Sequence, residues 1–329
     1  MTDEKSGSMS RILGVFAAAG SMTQYSDSLN SDAEAVYCPD DGPCDAVGSS
    51  RYERVDLHCH SLCSDGSLPV SELINRAAAA GLKWFSITDH DTLQGQEEAR
   101  ALAAQTDDLH YVTGVEWSAV WNGVLVHLVG LDFDPNHPAS QTAATRQLRA
   151  RRKRAVRIAQ KLDRNGFSGV EDWVRSEDAP ELPGRPHFAR HLVATGQIGS
   201  VDQAFRRFLG AGKAGDVKSH WPEMAEVIDW VHAAGGQVVL AHPQRYKLTG
   251  RKRRQLVADF AEAGGDALEI AVPGMPPNTK QLLVELCVDH GLAGSSGSDF
   301  HDDSQHWLAL GQVPALPRNI QPIWEKFAI

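Results

Sequence analysis

The sequence predicts an α/β fold, and three observations support this prediction. From Arg54 onward, short β-like runs alternate with helical patterns, as where Trp84–Thr88 follows the Ala-rich segment ending at Gly81. The strand signals stop between about 135 and 222, where helical and strongly basic sequence takes over, and they resume afterwards. The length of 329 residues suits one large domain that carries an insertion.

These signals divide the chain into four predicted segments. Residues 1–50 are rich in Ser, Asp and Gly without sustained periodicity, which predicts a flexible leader. Residues 51–134 and 223–329 form the two parts of the α/β core, and residues 135–222 form a helical insertion. The further predicted strands are Tyr111–Val115, Val124–Leu131, Gln237–Ala241, Ala267–Val272 and Ala293–Ser296.

The bulk composition limits the partners of the chain. A formal net charge of −10 repels polyanions, so we expect any phosphate-bearing partner to be held locally. No apolar run approaches the roughly 20 residues needed to cross a bilayer, and we predict no membrane association. The 5 cysteines lack regular spacing, which favours a reducing cytoplasmic location. Nothing in the sequence predicts a stable protein partner.

Residue types that commonly bind metals occur on the first β-like run and at the end of the next one, Trp84–Thr88. His58 and His60 lie two apart on a β-like run, so both imidazoles project from the same face. Asp65 follows in the turn Ser64-Asp65-Gly66. The apolar run up to Thr88 then ends in the ionisable residues of Asp89-His90-Asp91, which are costly to bury unless they are paired or coordinated.

The same pattern recurs at later strands. Glu116 directly follows the predicted strand Tyr111–Val115, and His242 directly follows the predicted strand Gln237–Ala241. His127 interrupts an apolar run; alone it would suggest a core histidine, but the other candidates reverse that preference. Together the strand ends carry nine candidate ligands: His58, His60, Asp65, His90, Glu116, His127, His242, Asp299 and His301.

This ligand set predicts a multinuclear centre. Imidazoles mixed with carboxylates and no thiolates favour Mn, Fe or Zn over Mg or Ca. Nine ligands exceed the first shell of one ion, so we expect two or three divalent ions. Such ions neutralise phosphoryl oxygens and activate water, which predicts hydrolysis of a phosphate ester.

Four segments resemble, in this order, the four motifs of the PHP (polymerase and histidinol phosphatase) superfamily. They are His58-Cys59-His60, Thr88-Asp89-His90-Asp91, Ala241-His242-Pro243 and Ser298-Asp299-Phe300-His301. The resemblance implies a distorted (β/α)7 barrel with a trinuclear site. Of the three metals that the ligand types favour, we expect manganese, with iron or zinc as alternatives. The resemblance assigns the ligands as follows: His58, His60, Glu116 and Asp299 to one ion; Glu116, as a bridge, with His127 and His242 to a second; and Asp65, His90 and His301 to a third.

Within that superfamily, two further segments resemble sequences of the branch that acts on nucleotides: Gly184-Arg185-Pro186-His187 and His242-Pro243-Gln244-Arg245-Tyr246. Members of the branch hydrolyse nucleoside 3′,5′-bisphosphates to 5′-monophosphates, and some trim short RNA from the 5′ end. The resemblance implies that Arg185, His187 and Arg245 hold a substrate phosphate, although Arg185 and Arg245 are also compatible with ordinary surface or ion-pair residues.

The catalytic roles in this scheme fall to Glu116, Asp299 and His301. The proton for the leaving oxygen comes either from His301 or from activated water. Two other functions are open: hydrolysis of another small phosphomonoester similar to histidinol phosphate, and a metal-binding module without turnover. Loss of ligands would mark the second, and this sequence retains all nine.

Several residues near the motifs have two interpretations. The basic run Arg146–Arg164 favours a solvated helix over an RNA-guiding surface, because its charges would spread around several helix faces. Trp117 is equally compatible with a wall for a base and with core packing. We expect Asp89, Asp91 and Glu269 to hold ligand side chains from a second layer.

Overall fold

The computed structural model describes residues 54–218, 221–303 and 309–328, so the predicted leader lies outside the described residues. The described strands are β1 (Val55–Asp56), β2 (Trp84–Phe85), β3 (His110–Tyr111), β4 (Gly114–Trp121), β5 (Val124–Leu131), β6 (Gln237–Leu240), β7 (Ala267–Ala271) and β8 (Ala293–Ser296). The described α-helices are α1 (Val70–Ala79), α2 (Gln96–Ala103), α3 (Pro138–Arg164), α4 (Val170–Arg175), α5 (Arg185–Ala194), α6 (Val201–Ala204), α7 (Met224–Ala233), α8 (Gly250–Glu262) and α9 (Pro277–His290). A π-helical turn, Phe205–Leu209, follows α6, and a short 3-10 helix spans Ile323–Lys326.

The strands form two sheets. The first is parallel, in the order β1-β2-β3. The second has the order β4-β5-β6-β7-β8, antiparallel through β4, β5 and β6 and parallel from β6 to β8. The predicted α/β fold is confirmed. Among the described residues the sheets do not join into one closed sheet, so the (β/α)7 barrel stays a prediction.

The predicted strand Tyr111–Val115 is divided between two strands, β3 and β4, so its predicted bounds are wrong. The chain interrupts its pairing after β3 and begins β4 at Gly114, which forms an eight-residue hairpin arm with β5. Asn122 and Gly123 connect the two arms with positive φ angles, as the tight turn of a hairpin requires. As a result, Glu116 lies inside β4 opposite Val129 rather than beyond the end of a strand.

Two large hydrophobic clusters cover the sheets. One packs β4 and β5 against α7, α8 and α9, with Trp117 fully buried in it. Another packs α1 and α2 over the first sheet around Phe85. Trp117 lies 6.3 Å from Trp230, ring centroid to ring centroid, so the packing interpretation of Trp117 applies and it offers no wall to a base.

The helices between β5 and β6 form a hydrophobic cluster of their own. It contains the second half of α3, including Ile158 and Leu162, together with residues of α4 and α5 such as Val170 and Phe188. The first half of α3 instead contributes Ala143 to the cluster of β4 and β5. Within the described ranges, no helix combines the length and apolarity required to cross a bilayer; the cytoplasmic location stays a prediction.

Candidate metal centre

The first and last motifs are brought together by the backbone. Beyond β1, the chain pairs with the segment that follows β8: His60 N donates to Phe300 O over 2.9 Å, and Asp299 N donates to His58 O over 2.8 Å. This pairing sets His58 and His60 beside Asp299 and His301, although about 240 residues separate them in the sequence. Both imidazoles of the first motif are buried.

Glu116 is the residue on which the imidazoles converge. Its Oε2 lies 3.0 Å from His90 Nδ1 and about 3.2–3.3 Å from the Nε2 atoms of His60 and His58. Its Oε1 lies 2.7 Å from His127 Nδ1 and 2.9 Å from His242 Nε2. One carboxylate that is completely buried therefore contacts five imidazoles from four separate segments of the chain.

Asp65 and Asp299 complete the cluster on either side of His301. His301 Nε2 lies 3.4 Å from Asp65 Oδ1, and its Nδ1 lies 3.6 Å from Asp299 Oδ1. Asp65 Oδ1 also lies 3.9 Å from His60 Nδ1 and 4.0 Å from His90 Nε2. The structure thus brings all nine residues that the sequence singled out into one contiguous cluster.

Several buried polar atoms of this cluster have no hydrogen bond within the described part of the chain. They are His58 Nε2, Asp65 Oδ1, His90 Nδ1, Glu116 Oε2 and His242 Nδ1. Leaving buried polar atoms without partners is costly, so the arrangement suits cations that would bind them. Three overlapping groups have all their ligand atoms within 4.8 Å of one another: His60, Asp65, His90 and His301; His58, His60, Glu116 and Asp299; and His90, Glu116 and His127.

The electrostatics of the cluster also suit cations. Burial by itself raises the pKa of Glu116, but the facing imidazoles of His90, His127 and His58 hold this pKa well below its usual range. Burial would lower the pKa of His60, yet hydrogen bonds to Asp299 and Glu116 raise it to about 10. In the metal-free protein, protons on histidines therefore balance ionised carboxylates, and bound metal ions would take their place.

A second layer of side chains holds the ligands. Glu269 Oε1 lies 2.9 Å from His58 Nδ1, and Glu269 Oε2 accepts a hydrogen bond from His242 N over 2.6 Å. Glu269 thus lies where second-layer contact was expected. Gly297 passes so close that an added Cβ would overlap Glu269 Oε1 and His58 Cβ. This position therefore requires glycine.

We expected Asp89 and Asp91 to hold ligand side chains, but within the described residues neither carboxylate hydrogen-bonds a ligand imidazole directly. Asp89 accepts hydrogen bonds from the backbone N and the hydroxyl of Ser61, and so holds the turn after His60. Asp91 accepts from Ser118 N over 2.6 Å and pairs with Arg151 Nε over 2.6 Å. Asp89 also accepts a hydrogen bond from the hydroxyl of Ser64, which lies 3.5 Å from His60 Nδ1, so Asp89 supports this histidine through Ser64. The expected support of a ligand side chain is wrong for Asp91, whose partners are Ser118 and Arg151.

The three predicted substrate-binding residues lie around the cluster. Arg245 pairs with Asp299 in this structure, and its contact to a substrate phosphate stays a prediction. Arg185 begins α5 and lines a small cavity together with Asp65 and His90. His187, on the same helix, accepts a hydrogen bond at Nδ1 from Gly184 N; burial first, and then Arg190, lower its pKa to about 4.

Sequence reasoning missed three residues beside the cluster: Arg151, Arg154 and Trp221. Arg151 and Arg154 are only 8 % exposed, so the solvated-helix interpretation of the basic run is wrong for them. Trp221 lines the same small cavity and lies under Arg151, with the guanidinium carbon 5.7 Å from the ring centroid. The spacing of three residues between the arginines, in phase with the buried face of α3, is the signal that could have identified them.

Comparisons with known proteins agree with the geometry. A family model described as PHP domain matches residues 56–238. A 5′-3′ exoribonuclease from Haemophilus influenzae is 41% identical over 84% of this chain and 99% of its own length. A 3′,5′-nucleoside bisphosphate phosphatase from Chromobacterium violaceum is 37% identical over 83% of this chain and 96% of its own length. A solved structure from C. violaceum, described as an amidohydrolase with bound sulfate and no metal, is 36% identical over 83% of this chain and 95% of its own, with a TM-score of 0.76.

Proposed function

The chain belongs to the PHP domain family, and from this membership we propose that it is a phosphoric ester hydrolase of nucleotides. It cleaves the phosphate ester at the 3′ oxygen of nucleoside 3′,5′-bisphosphates to give 5′-monophosphates, and it removes nucleotides from the 5′ end of short RNA. The names of the relatives from C. violaceum and H. influenzae support these two substrates. In both substrates the bond that is cleaved joins phosphorus to the 3′ oxygen, so one site can act on both.

The observation that carries the proposal is the convergence of five imidazoles on Glu116 beside Asp65 and Asp299. We assign the ligands of the ions as the sequence resemblance does: His58, His60, Glu116 and Asp299 for the first, Glu116, His127 and His242 for the second, and Asp65, His90 and His301 for the third. The unpartnered atoms of the cluster support this assignment, because most of its ligands bring one such atom.

The proposed ions are two or three in number and are divalent. Oxygen and imidazole ligands fit manganese, and they also fit iron or zinc. When bound, such ions neutralise the oxygens of the phosphoryl group and lower the pKa of water so that it attacks at neutral pH.

The residues of the chain supply orientation and proton transfer. Glu269 fixes the rotation of His58 through Nδ1, which leaves Nε2 for an ion. His301 Nδ1 donates to Asp299 O over 2.9 Å, so its Nε2 faces Asp65 and the substrate side. There it either binds an ion or holds the proton for the leaving 3′ oxygen. Arg185, His187 and Arg245 are the proposed contacts to a substrate phosphate.

We further propose that the two sheets together form a distorted (β/α)7 barrel interrupted by the helical insertion 135–222. Hydrogen bonds between the sheets support the barrel: Leu57 N donates to Ser296 O over 2.9 Å, and Asp91 N donates to Glu116 O over 3.0 Å. The hydrophobic cluster around Ile158 and Phe188 supports a separate helical subdomain.

The test is phosphate release from adenosine 3′,5′-bisphosphate by the Mn-loaded protein, beside mononucleotide release from a 5′-phosphorylated RNA dinucleotide. We expect cleavage of both substrates at the 3′ oxygen and loss of both activities in His60→Ala. Release from simple phosphomonoesters alone, such as histidinol phosphate, would replace this proposal with the small-phosphomonoester alternative. Absence of turnover with every substrate would indicate a non-catalytic metal-binding module.

A further inference from the structure

Helix α3 concentrates positive charge in a chain that is acidic as a whole. From Pro138 to Leu162 it contains eight arginines and lysines and no acidic residue, whereas the chain has a formal net charge of −10. The first carboxylate of the helix is Asp163, which accepts hydrogen bonds from Val170 N and Glu171 N over 3.1 Å each. This carboxylate therefore serves the start of α4 and does not neutralise the cations of α3.

Five of these eight cations have a structural role of their own. Two form surface ion pairs with carboxylates of other segments, two face inward, and one lies in the last turn, where the negative end of the helix dipole favours a cation. In that order they are Arg146 and Arg152, Arg151 and Arg154, and Lys161.

The remaining three, Arg149, Lys153 and Arg157, are here called the basic stripe. All three are exposed, and none forms an ion pair within 54–218, 221–303 and 309–328. They lie four residues apart, so they share one face of the helix. Like charges at this spacing repel each other and destabilise a helix, so helix stability does not account for the stripe. Its charge instead suits an anionic partner outside the helix.

The basic stripe leads toward the metal centre. Its three residues line a surface depression along α3 together with Arg154. Arg154 also lines the small cavity that reaches Asp65 and His90. The stripe covers eight residues of the helix, about 12 Å at 1.5 Å per residue. A polyanion that leaves the centre past Arg154 therefore reaches a row of cations.

We propose that the basic stripe binds the backbone phosphates of single-stranded RNA on the 3′ side of the cleaved bond. This inference rests on the proposed function and extends its RNA substrates from dinucleotides to longer strands. After cleavage next to the 5′-terminal nucleotide, the rest of the strand still carries a negative charge at each phosphate. A nucleoside 3′,5′-bisphosphate ends at the phosphate that is cleaved, so it does not reach the stripe.

The chemistry of the stripe favours RNA over an acidic protein segment. Arginine and lysine contact phosphates without reading the bases, as a protein that trims strands of any sequence requires. The stripe is also continuous with a site that is proposed to cut RNA. Because the whole chain repels polyanions, a local row of cations is needed to hold a strand at all.

The experiment compares three substrates of the Mn-loaded full chain: adenosine 3′,5′-bisphosphate, a 5′-phosphorylated RNA dinucleotide and a 5′-phosphorylated RNA decanucleotide. In the triple variant Arg149→Gln, Lys153→Gln and Arg157→Gln we expect KM for the decanucleotide to rise about 10-fold, the effect of three exposed charge contacts. The values of kcat/KM for the bisphosphate and the dinucleotide should stay within about twofold of the wild type, because neither substrate extends to the stripe. Glutamine keeps a good helix former at each position.

The matched control removes three cations from other surfaces: Lys83→Gln, Arg100→Gln and Lys326→Gln. It should leave KM for the decanucleotide unchanged. The proposal is overturned if the stripe variant loses activity equally on all three substrates, if its KM for the decanucleotide is unchanged, or if the control raises this KM as much as the stripe variant does.

A second measurement needs no turnover. Fluorescence anisotropy of a 3′-labelled RNA decanucleotide with metal-free protein gives the binding constant at several salt concentrations. The slope of its logarithm against the logarithm of the salt concentration should be about 2 units shallower in the stripe variant, about 0.7 for each lost phosphate contact. Equal slopes in wild type and stripe variant would contradict the assignment. If the wild type cleaved none of the three substrates, the proposed function would fail, while these slopes would still decide whether the stripe binds RNA.

Discussion

The metal centre adjoins the small cavity that Arg151, Arg154 and Arg185 line, here called the arginine cavity, and the two differ in how their charges are paired. In the centre, charges of opposite sign face one another: Glu116 contacts five imidazoles, and Asp65 and Asp299 flank His301. In the cavity, Arg154 and Arg185 face backbone carbonyls. Mutual pairing of charges fixes the geometry of the centre, whereas in the cavity only Arg151 of the three arginines is paired with a carboxylate among the described residues.

The supporting contacts differ in the same way. Backbone hydrogen bonds from two segments brace the centre, and Glu269 connects two of its ligands. The cavity is formed by side chains from a long helix, a hairpin and the start of α5. We therefore expect substitutions in the centre to reduce kcat and metal content, and substitutions in the cavity to act on KM.

The largest effect is expected at Glu116. Glu116→Gln keeps the shape of the side chain but removes the charge that five imidazoles share, so we expect kcat to fall by about 10³-fold or more. The measurement is phosphate release together with metal content after dialysis. Glu72→Gln, on an exposed carboxylate of α1, is the control. Retention of both kcat and metal content in Glu116→Gln would show that this carboxylate is not central to the site.

The next prediction compares how substitution of two neighbouring arginines changes the free energy of unfolding. Arg151→Met leaves Asp91 buried without its partner, so we expect the free energy of unfolding to fall by about 3–5 kcal/mol. Arg154→Met removes a cation that has no carboxylate bonded to it and relieves its repulsion with Arg151 and Arg185. It should be neutral or stabilising in urea unfolding of metal-free protein. An equal loss of unfolding free energy in both variants would mean that the charges of the two arginines are compensated to the same extent in the folded protein.

A smaller effect on the centre is expected from its second layer. Glu269→Gln weakens the contact that orients His58 and disturbs the hydrogen bond to His242 N, so we expect metal affinity to fall about 10- to 100-fold. Titration of metal-free protein with Mn²⁺ measures this affinity. Glu262→Gln, near the end of α8, provides the comparison. The idea of a bracing role fails if both variants bind Mn²⁺ as the wild type does.

The sequence was sufficient to identify the residues of the cluster because most of them lie at or near the end of a predicted strand, and His127 was included because of the others. His58 and His60 share a strand face, and Asp299 and His301 repeat that spacing, so no long-range contact had to be known. Glu116 was found despite a wrong strand boundary. Its strand continues to Trp121 because the hairpin with β5 supplies pairing partners that the local pattern does not reveal.

The arginine cavity could not be found in the same way. Within Arg146–Arg164 nearly every face of the helix carries a cation, and what packs on the helix decides which of them are buried. Asp91 and Ser118, from other segments, hold Arg151 against the centre. The positions 147, 151, 154 and 158 do share one face of α3. Only the tertiary structure shows that Gln147 and Arg151 on this face contact Ser118 and Asp91, whereas Ile158 packs in the apolar cluster with α4 and α5.

The smallest effect tests whether the helical region is independent of the centre. Ile158→Val removes one methylene from the cluster that α3 forms with α4 and α5, and we expect a loss of about 0.5–1.5 kcal/mol in the free energy of unfolding. Because this cluster shares no residue with those that support the β4–β5 hairpin, metal content and kcat should be unchanged. Leu256→Ala, in the cluster under the second sheet, is the contrasting variant, and we expect it to cost about 2–5 kcal/mol. If Ile158→Val lowered kcat as well as stability, the helical region would be coupled to the geometry of the centre through α3, and the division between a prearranged centre and an adaptable cavity would have to be abandoned.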